Sequence, residues 1–185
     1  MNQRNGIVAV ALSAASYGTL ALFGKLAVQA GLSVPALLFW RFLLGGIVLW
    51  GVVVFTRSPV PARRVALAPV SIGVLFAAMS SAYFTALVRA GAAYAVLTLY
   101  AYPAVVVAIE HLLGNRLTRR RAITVALAVA GVALLVHPGR DIDALGIGVG
   151  LLSAMFYGIY LVMTSRVMKM MPSLSATAIV VSAMV

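Results

Sequence analysis

Apolar residues in this chain fall into long blocks separated by short polar or proline-bearing breaks. A helix of about 20 apolar residues crosses the hydrocarbon layer of a bilayer. On that rule the blocks predict spans at Ile7–Val28, Val34–Phe55, Val65–Val88, Ala92–Leu113, Ala122–Val136 and Leu145–Met168. A seventh opens near Leu174 and runs to Val185. Pro35, Pro59, Pro61 and Pro172 mark the breaks, because proline cannot extend a helix. Pro69 falls in the first turns of the third span, where it is tolerated. Pro103 stands in the middle of the fourth and predicts a kink there. The expected fold is an all-α, polytopic transmembrane helical bundle.

Composition agrees with that pattern. Hydrophobic residues make up 64% of the 185 and charged residues 9%, too little charge to cover the surface of a soluble domain. The net charge of +11 does not imply nucleic acid, because the cations sit in connections and not along one helix face. There is no cysteine, so disulfides are excluded. Asn2 to Gly6 with Arg4 could open a signal peptide. The apolar stretch behind it is too long for one, which predicts a retained first span.

The cations also predict orientation. Arg57, Arg63 and Arg64 lie in the second connection, Arg116 and Arg119 to Arg121 in the fourth, and Arg166 and Lys169 at the sixth. The first connection is uncharged, the third has Arg89, and the fifth balances Arg140 with Asp141 and Asp143. The amino terminus and the even-numbered connections are therefore expected in the cytoplasm, in a bacterial inner membrane.

The chain also repeats itself at an offset of 140 positions (Gly6 to Gly146). Ile7, Leu12, Ser13, Ala14, Tyr17 and Gly18 recur as Ile147, Leu152, Ser153, Ala154, Tyr157 and Gly158, and Ser33 and Ala36 as Ser173 and Ala176. Five spans separate the two starts. An odd number forces the copies to run through the membrane in opposite senses, an arrangement common in alternating-access transporters. The reading is one five-helix repeat over residues 1–138 and the start of a second, inverted and truncated repeat over 139–185.

These residues resemble a known family. SYGTLALFGKLAVQAGLSVPALLFWRFLLGG is similar to the opening of EamA-type transporters of the drug/metabolite transporter superfamily. ALVRAGAAYAVLTLYAYPAVVVAIEHLLGNRLT resembles that family's junction of third and fourth spans, and AVAGVALLV its fifth. One departure is Asn115, where the family usually has a glutamate thought to organise the turn. The resemblance implies two five-helix repeats, about ten spans in all. It also implies outward movement of small metabolites such as amino acids, and that roughly the last third of the transporter is missing.

Polar groups inside spans are the candidates for binding, since ionisable groups are costly there. Arg41 suits a substrate carboxylate, with snorkelling or a backbone carbonyl as its alternatives. Lys25 is expected to snorkel. Glu110 is expected to pair with Arg116 or Arg119, with proton carriage as the alternative. Tyr94, Thr98 and Tyr102 recur at helical spacing and predict a polar, aromatic stripe on one face. Tyr17 and its counterpart Tyr157 belong with them, as does Tyr83 from the cluster of Ser80, Ser81 and Thr85. The expected substrate-binding set is Tyr17, Arg41, Tyr83, Tyr94, Thr98, Tyr102 and Tyr157, for a small amphipathic solute. The histidines and acids have no metal-ligand spacing, no cofactor motif appears, and no catalytic residue is expected. Gly146, Gly148 and Gly150 are read as close helix packing. Besides the solute and the lipid bilayer, the partners left open are a second copy in a homodimer or the missing carboxy-terminal half. A non-transporting membrane subunit and a lipid-modifying membrane enzyme are the competing functions; the latter lacks the paired carboxylates it would need.

Overall fold

The structure is a computed structural model that describes residues 7, 11–12, 15–16, 19–61, 63–115, 118–133, 143–168 and 172–185. Those residues are helical with short connections, and no strand occurs among them. The helices are α1 (Leu20–Gln29), α2 (Val34–Phe55), α3 (Arg63–Ala90), α4 (Ala92–Leu99), α5 (Tyr102–Leu112), α6 (Arg119–Ala133), α7 (Ala144–Val167) and α8 (Ser173–Ser182). Four stretches are long and apolar enough to cross a membrane: Val34–Phe55, Ala66–Ala90, Ala92–Leu112 and Ala144–Val167.

Local chemistry explains where these helices start and stop. Ser33 caps α2 by accepting the Ala36 N–H, with Pro35 in the first turn. Asp143 caps α7 with one carboxylate oxygen, which accepts the N–H groups of Leu145 (3.0 Å) and Gly146 (3.3 Å). Gly91 stands between α3 and α4 at φ +92°, a left-handed conformation that lets one helix follow the other after a single residue. The turn after α5 closes at Gly114 and Asn115. Gly114 takes φ +88°, and the Asn115 N–H reaches back to the Glu110 carbonyl, the bond pattern of a glycine-terminated helix.

The fourth span differs most from expectation. It breaks instead of kinking: α4 stops at Leu99 and α5 starts at Tyr102. Pro103 has no N–H to offer the Leu99 carbonyl, and the Ala104 N–H bonds Ala101 in place of Tyr100. Pro69, by contrast, is accommodated inside the continuous α3, which starts two residues earlier than the pattern predicts. It is fully buried there.

Helix directions follow from the contacts. Arg89 near the end of α3 bonds Asp143 at the start of α7, while Phe76 of α3 meets Tyr160 of α7, so these two helices are antiparallel. A β-carbon on Gly150 would overlap the Thr98 hydroxyl, and one on Gly158 would meet Val105 at 2.7 Å, so the broken α4–α5 helix runs parallel to α7. Ser175 of α8 donates to the Pro59 carbonyl (2.8 Å), and Trp50 of α2 donates to Ser182 (2.7 Å), which sets α8 antiparallel to α2. The end of α1 joins the start of α2, where Val34 and Leu37 pack on the cluster containing Leu87 and Ala95. That is the same end of the bundle as Asp143. Thus α1 and α7 run in opposite senses.

The core lies between α2, α3 and α4: Leu38, Phe42, Met79, Tyr83, Phe84, Ala86, Leu87 and Ala95. The most extensive helix contact is α3 on α7. Small residues make it close, since Gly146 lies against Ala90 and Arg89, and Ser153 and Ala154 are buried along the same helix. Gly148 is exposed with nothing near a β-carbon, so only part of the expected glycine packing is realised.

Candidate functional site

At about half-height the bundle carries a continuous series of aromatic rings drawn from four spans. Phe42 of α2 meets Phe76 of α3 edge-on at 6.2 Å between centroids, and Phe76 meets Tyr160 of α7 at 4.8 Å. Tyr160 lies parallel to Tyr157, one turn earlier on α7, at 5.9 Å. Tyr157 meets Tyr102 edge-on at 4.8 Å, at the start of α5. Edge-to-face and offset-parallel contacts are the preferred geometries of rings whose faces are negative and edges positive. Phe42 is buried; Phe76, Tyr102, Tyr157 and Tyr160 are half-buried and so present surface beyond the series itself. The guanidinium of Arg41 lies 5.4 Å from the Phe42 ring centroid, at one end of the series.

Three of the sequence candidates, Arg41, Tyr102 and Tyr157, meet at this band. The others do not. Tyr83 is buried in the apolar core, edge-on to Phe84 at 5.3 Å. Thr98 is sealed against Gly150, and its hydroxyl donates to the carbonyls of Tyr94 (2.8 Å) and Ala95 (3.1 Å) in its own helix. Tyr94 is half-buried one turn above Thr98, and the helix break separates this pair from Tyr102. Thr98 and Tyr102 both face α7, but the first fills a packing seam and the second joins the rings. Tyr17 lies outside the described residues, as do Ser13, Arg116 and Asp141.

Sequence reasoning missed Phe42, Phe76 and Tyr160. Tyr160 follows Tyr157 by three positions, a spacing that puts both on one helix side and was there to be read. The two phenylalanines carry no polar atom and could not be separated from core residues.

Most hydroxyls inside the spans bond their own helix. Thr85 donates to Ser81 (2.7 Å), and Ser153 donates to Gly150 (2.6 Å). They satisfy backbone carbonyls and give no sign of a solute.

At the end of the bundle nearest Asp143, charge is used structurally. Arg89 Nε donates to Asp143 Oδ2 at 2.7 Å, while Asp143 Oδ1 caps α7. The Arg89 hydrogen bond comes first among the causes that hold the Asp143 carboxyl below its ordinary value, and partial desolvation opposes it. This pair joins the end of α3 to the start of α7 at one end of the bundle. Lys25 is exposed, near the same end.

The EamA-like transporter family matches residues 4–137. No curated protein matches the chain, and no solved structure does.

Proposed function

The chain belongs to the EamA-like transporter family, and from that premise we propose that it is a secondary transporter exporting small metabolites such as amino acids by alternating access. In this reading residues 1–138 form one five-helix repeat. Residues 139–185 open a second, inverted one, and the solute crosses at the ring band between them. The observation that carries it is the band itself: five rings and a guanidinium from four spans, gathered near mid-depth, where transporters of inverted-repeat design hold their solutes. The opposed directions of α1 and α7 support the inverted relation. Arg57, Arg119 and Arg166 stand at the ends of α2, α6 and α7 away from Asp143, which supports a cytoplasmic placement of that end, and the amino terminus belongs on the same side in this reading.

The test is flux from proteoliposomes loaded with radiolabelled amino acids. Wild-type protein should release label faster than protein-free vesicles, and Tyr157→Leu should slow that release about tenfold, the effect of losing roughly 1.4 kcal/mol at the crossing point. Release at the protein-free rate would sink the transporter reading. Full release by Tyr157→Leu would move the pathway elsewhere.

A further inference from the structure

Resting on that reading, we propose that the break in the fourth span seats the solute's ammonium group, which donates to the carbonyls of Leu99 and Tyr100. In an unbroken helix the Leu99 carbonyl would accept from position 103 and the Tyr100 carbonyl from position 104. Pro103 has no N–H, and the Ala104 N–H is given to the Ala101 carbonyl (3.0 Å). Among the described residues, no backbone N–H is bonded to either the Leu99 or the Tyr100 carbonyl. The Ala101 N–H goes to Thr98 (3.1 Å), which leaves the Tyr102 N–H as the spare donor at the break. Acceptors outnumber it, so the break is partially negative, as the carboxy-terminal end of a helix is.

Depth and access give these carbonyls a ligand. α4 supplies eight residues before the break and α5 eleven after it, in a stretch apolar enough to cross a membrane. Bare carbonyls near the middle of a bilayer are tolerated where they meet water or a polar group, not acyl chains. No residue from Leu99 to Tyr102 is buried. Tyr100 is 58% exposed, and its hydroxyl at that depth also calls for a polar contact. α7 passes close by: a β-carbon on Gly158 would lie 3.4 Å from the Tyr102 carbonyl, and the rings of Tyr102 and Tyr157 meet. The break thus adjoins the end of the ring band, and an ammonium on the carbonyls has an aromatic face within reach. A primary ammonium brings three donors, enough for both carbonyls. A calcium or magnesium ion needs about six oxygens or more, which two carbonyls do not supply.

Three probes separate the ammonium from the rest of a solute: leucine, 4-methylpentanoate, which lacks the nitrogen, and N,N,N-trimethylleucine, which keeps the positive charge without N–H donors. In competition against radiolabelled leucine on the full chain in phosphatidylcholine vesicles, leucine should bind about tenfold more tightly than either of the others. Pro103→Ala returns an N–H to Leu99 and lets Ala104 reach Tyr100. It should keep or raise helix content by circular dichroism while bringing the three probes within about threefold of one another. Pro69→Ala, in a helix that is already continuous, should preserve the preference for leucine. Either analogue matching leucine on wild-type protein overturns the proposal, and so does failure of leucine to bind. A full preference for leucine in a folded Pro103→Ala protein overturns it too; if that variant does not fold, the wild-type ranking decides alone. If the ranking fails while the vesicles still release amino acids, the seat is wrong and transport stands. The ranking without any solute flux leaves the seat and removes the transporter.

Discussion

Helices α7 and α5 are both apolar and lie side by side, yet they pack differently. Along α7, Gly146, Gly150, Ser153, Ala154, Gly158 and Val162 are buried, while among the residues of α5 none is. Glycine and alanine let backbones approach, so α7 gains dispersion contact along its length against α3 and α4. On α5 Val105 lies against Gly158, yet Val105, Val106 and Val107 each stay half-covered. Tyr102 sits where the two regimes meet, just after the helix break. One seam of small residues fixes the scaffold, and the looser face beside it leaves room for rings that touch something else.

The largest effect expected from this contrast is at Gly150. Gly150→Leu forces a side chain into Thr98, and overpacking of this kind costs about 1–3 kcal/mol or more. A clear fall in melting temperature of the detergent-purified protein should follow, with loss of a single gel-filtration peak. Gly148→Leu, which meets open space, should leave both unchanged. Equal damage from the two substitutions would erase the distinction between seam and surface.

The ring band comes next. Tyr160→Leu should cut solute flux by about tenfold with a melting temperature near that of wild type, because its ring is only half-buried. Tyr94→Phe should change flux by less than about twofold. If the two behave alike, the band does not mark the pathway.

A smaller effect is expected at the Arg89–Asp143 pair, which is exposed and therefore weak. The folded Asp143 carboxyl titrates below its ordinary value of 3.8. Its stabilisation is therefore present above pH 3.8 and lost as pH falls through the lowered folded value. Between pH 6 and 3, wild-type protein should lose more melting temperature than Asp143→Asn. Parallel curves would show that the pair contributes nothing. The smallest effect belongs to Thr98→Val, which keeps the shape against Gly150 and removes a hydroxyl already bonded within its helix. Stability should shift by no more than about 1 kcal/mol in thermal unfolding, and flux should not change. A large loss of flux would return Thr98 to the pathway.

Much of this was legible in the amino-acid order. Span positions at Val34–Phe55 and around Leu145–Met168 follow from block length alone, because backbone polar groups in a lipid phase must be satisfied within the helix. Pro103 signalled an interruption, and Gly146 and Gly150, though not Gly148, signalled close packing. The opposed senses of α1 and α7 are what the expectation of five spans between the two starts requires. Arg41, Tyr102 and Tyr157 were within reach because a polar atom in an apolar block stands out. Other features depended on which helices became neighbours. Hydroxyls at Thr98 and Thr85 look the same in sequence whether they line a cavity or bond the carbonyl one turn back. Phe42 and Phe76 look like any core residue until α2, α3 and α7 bring their rings together. Local pattern fixes where a helix forms and which residues are unusual within it. Which of them meet is set by side-chain volume at each crossing, a property of pairs of helices that no single stretch of chain contains.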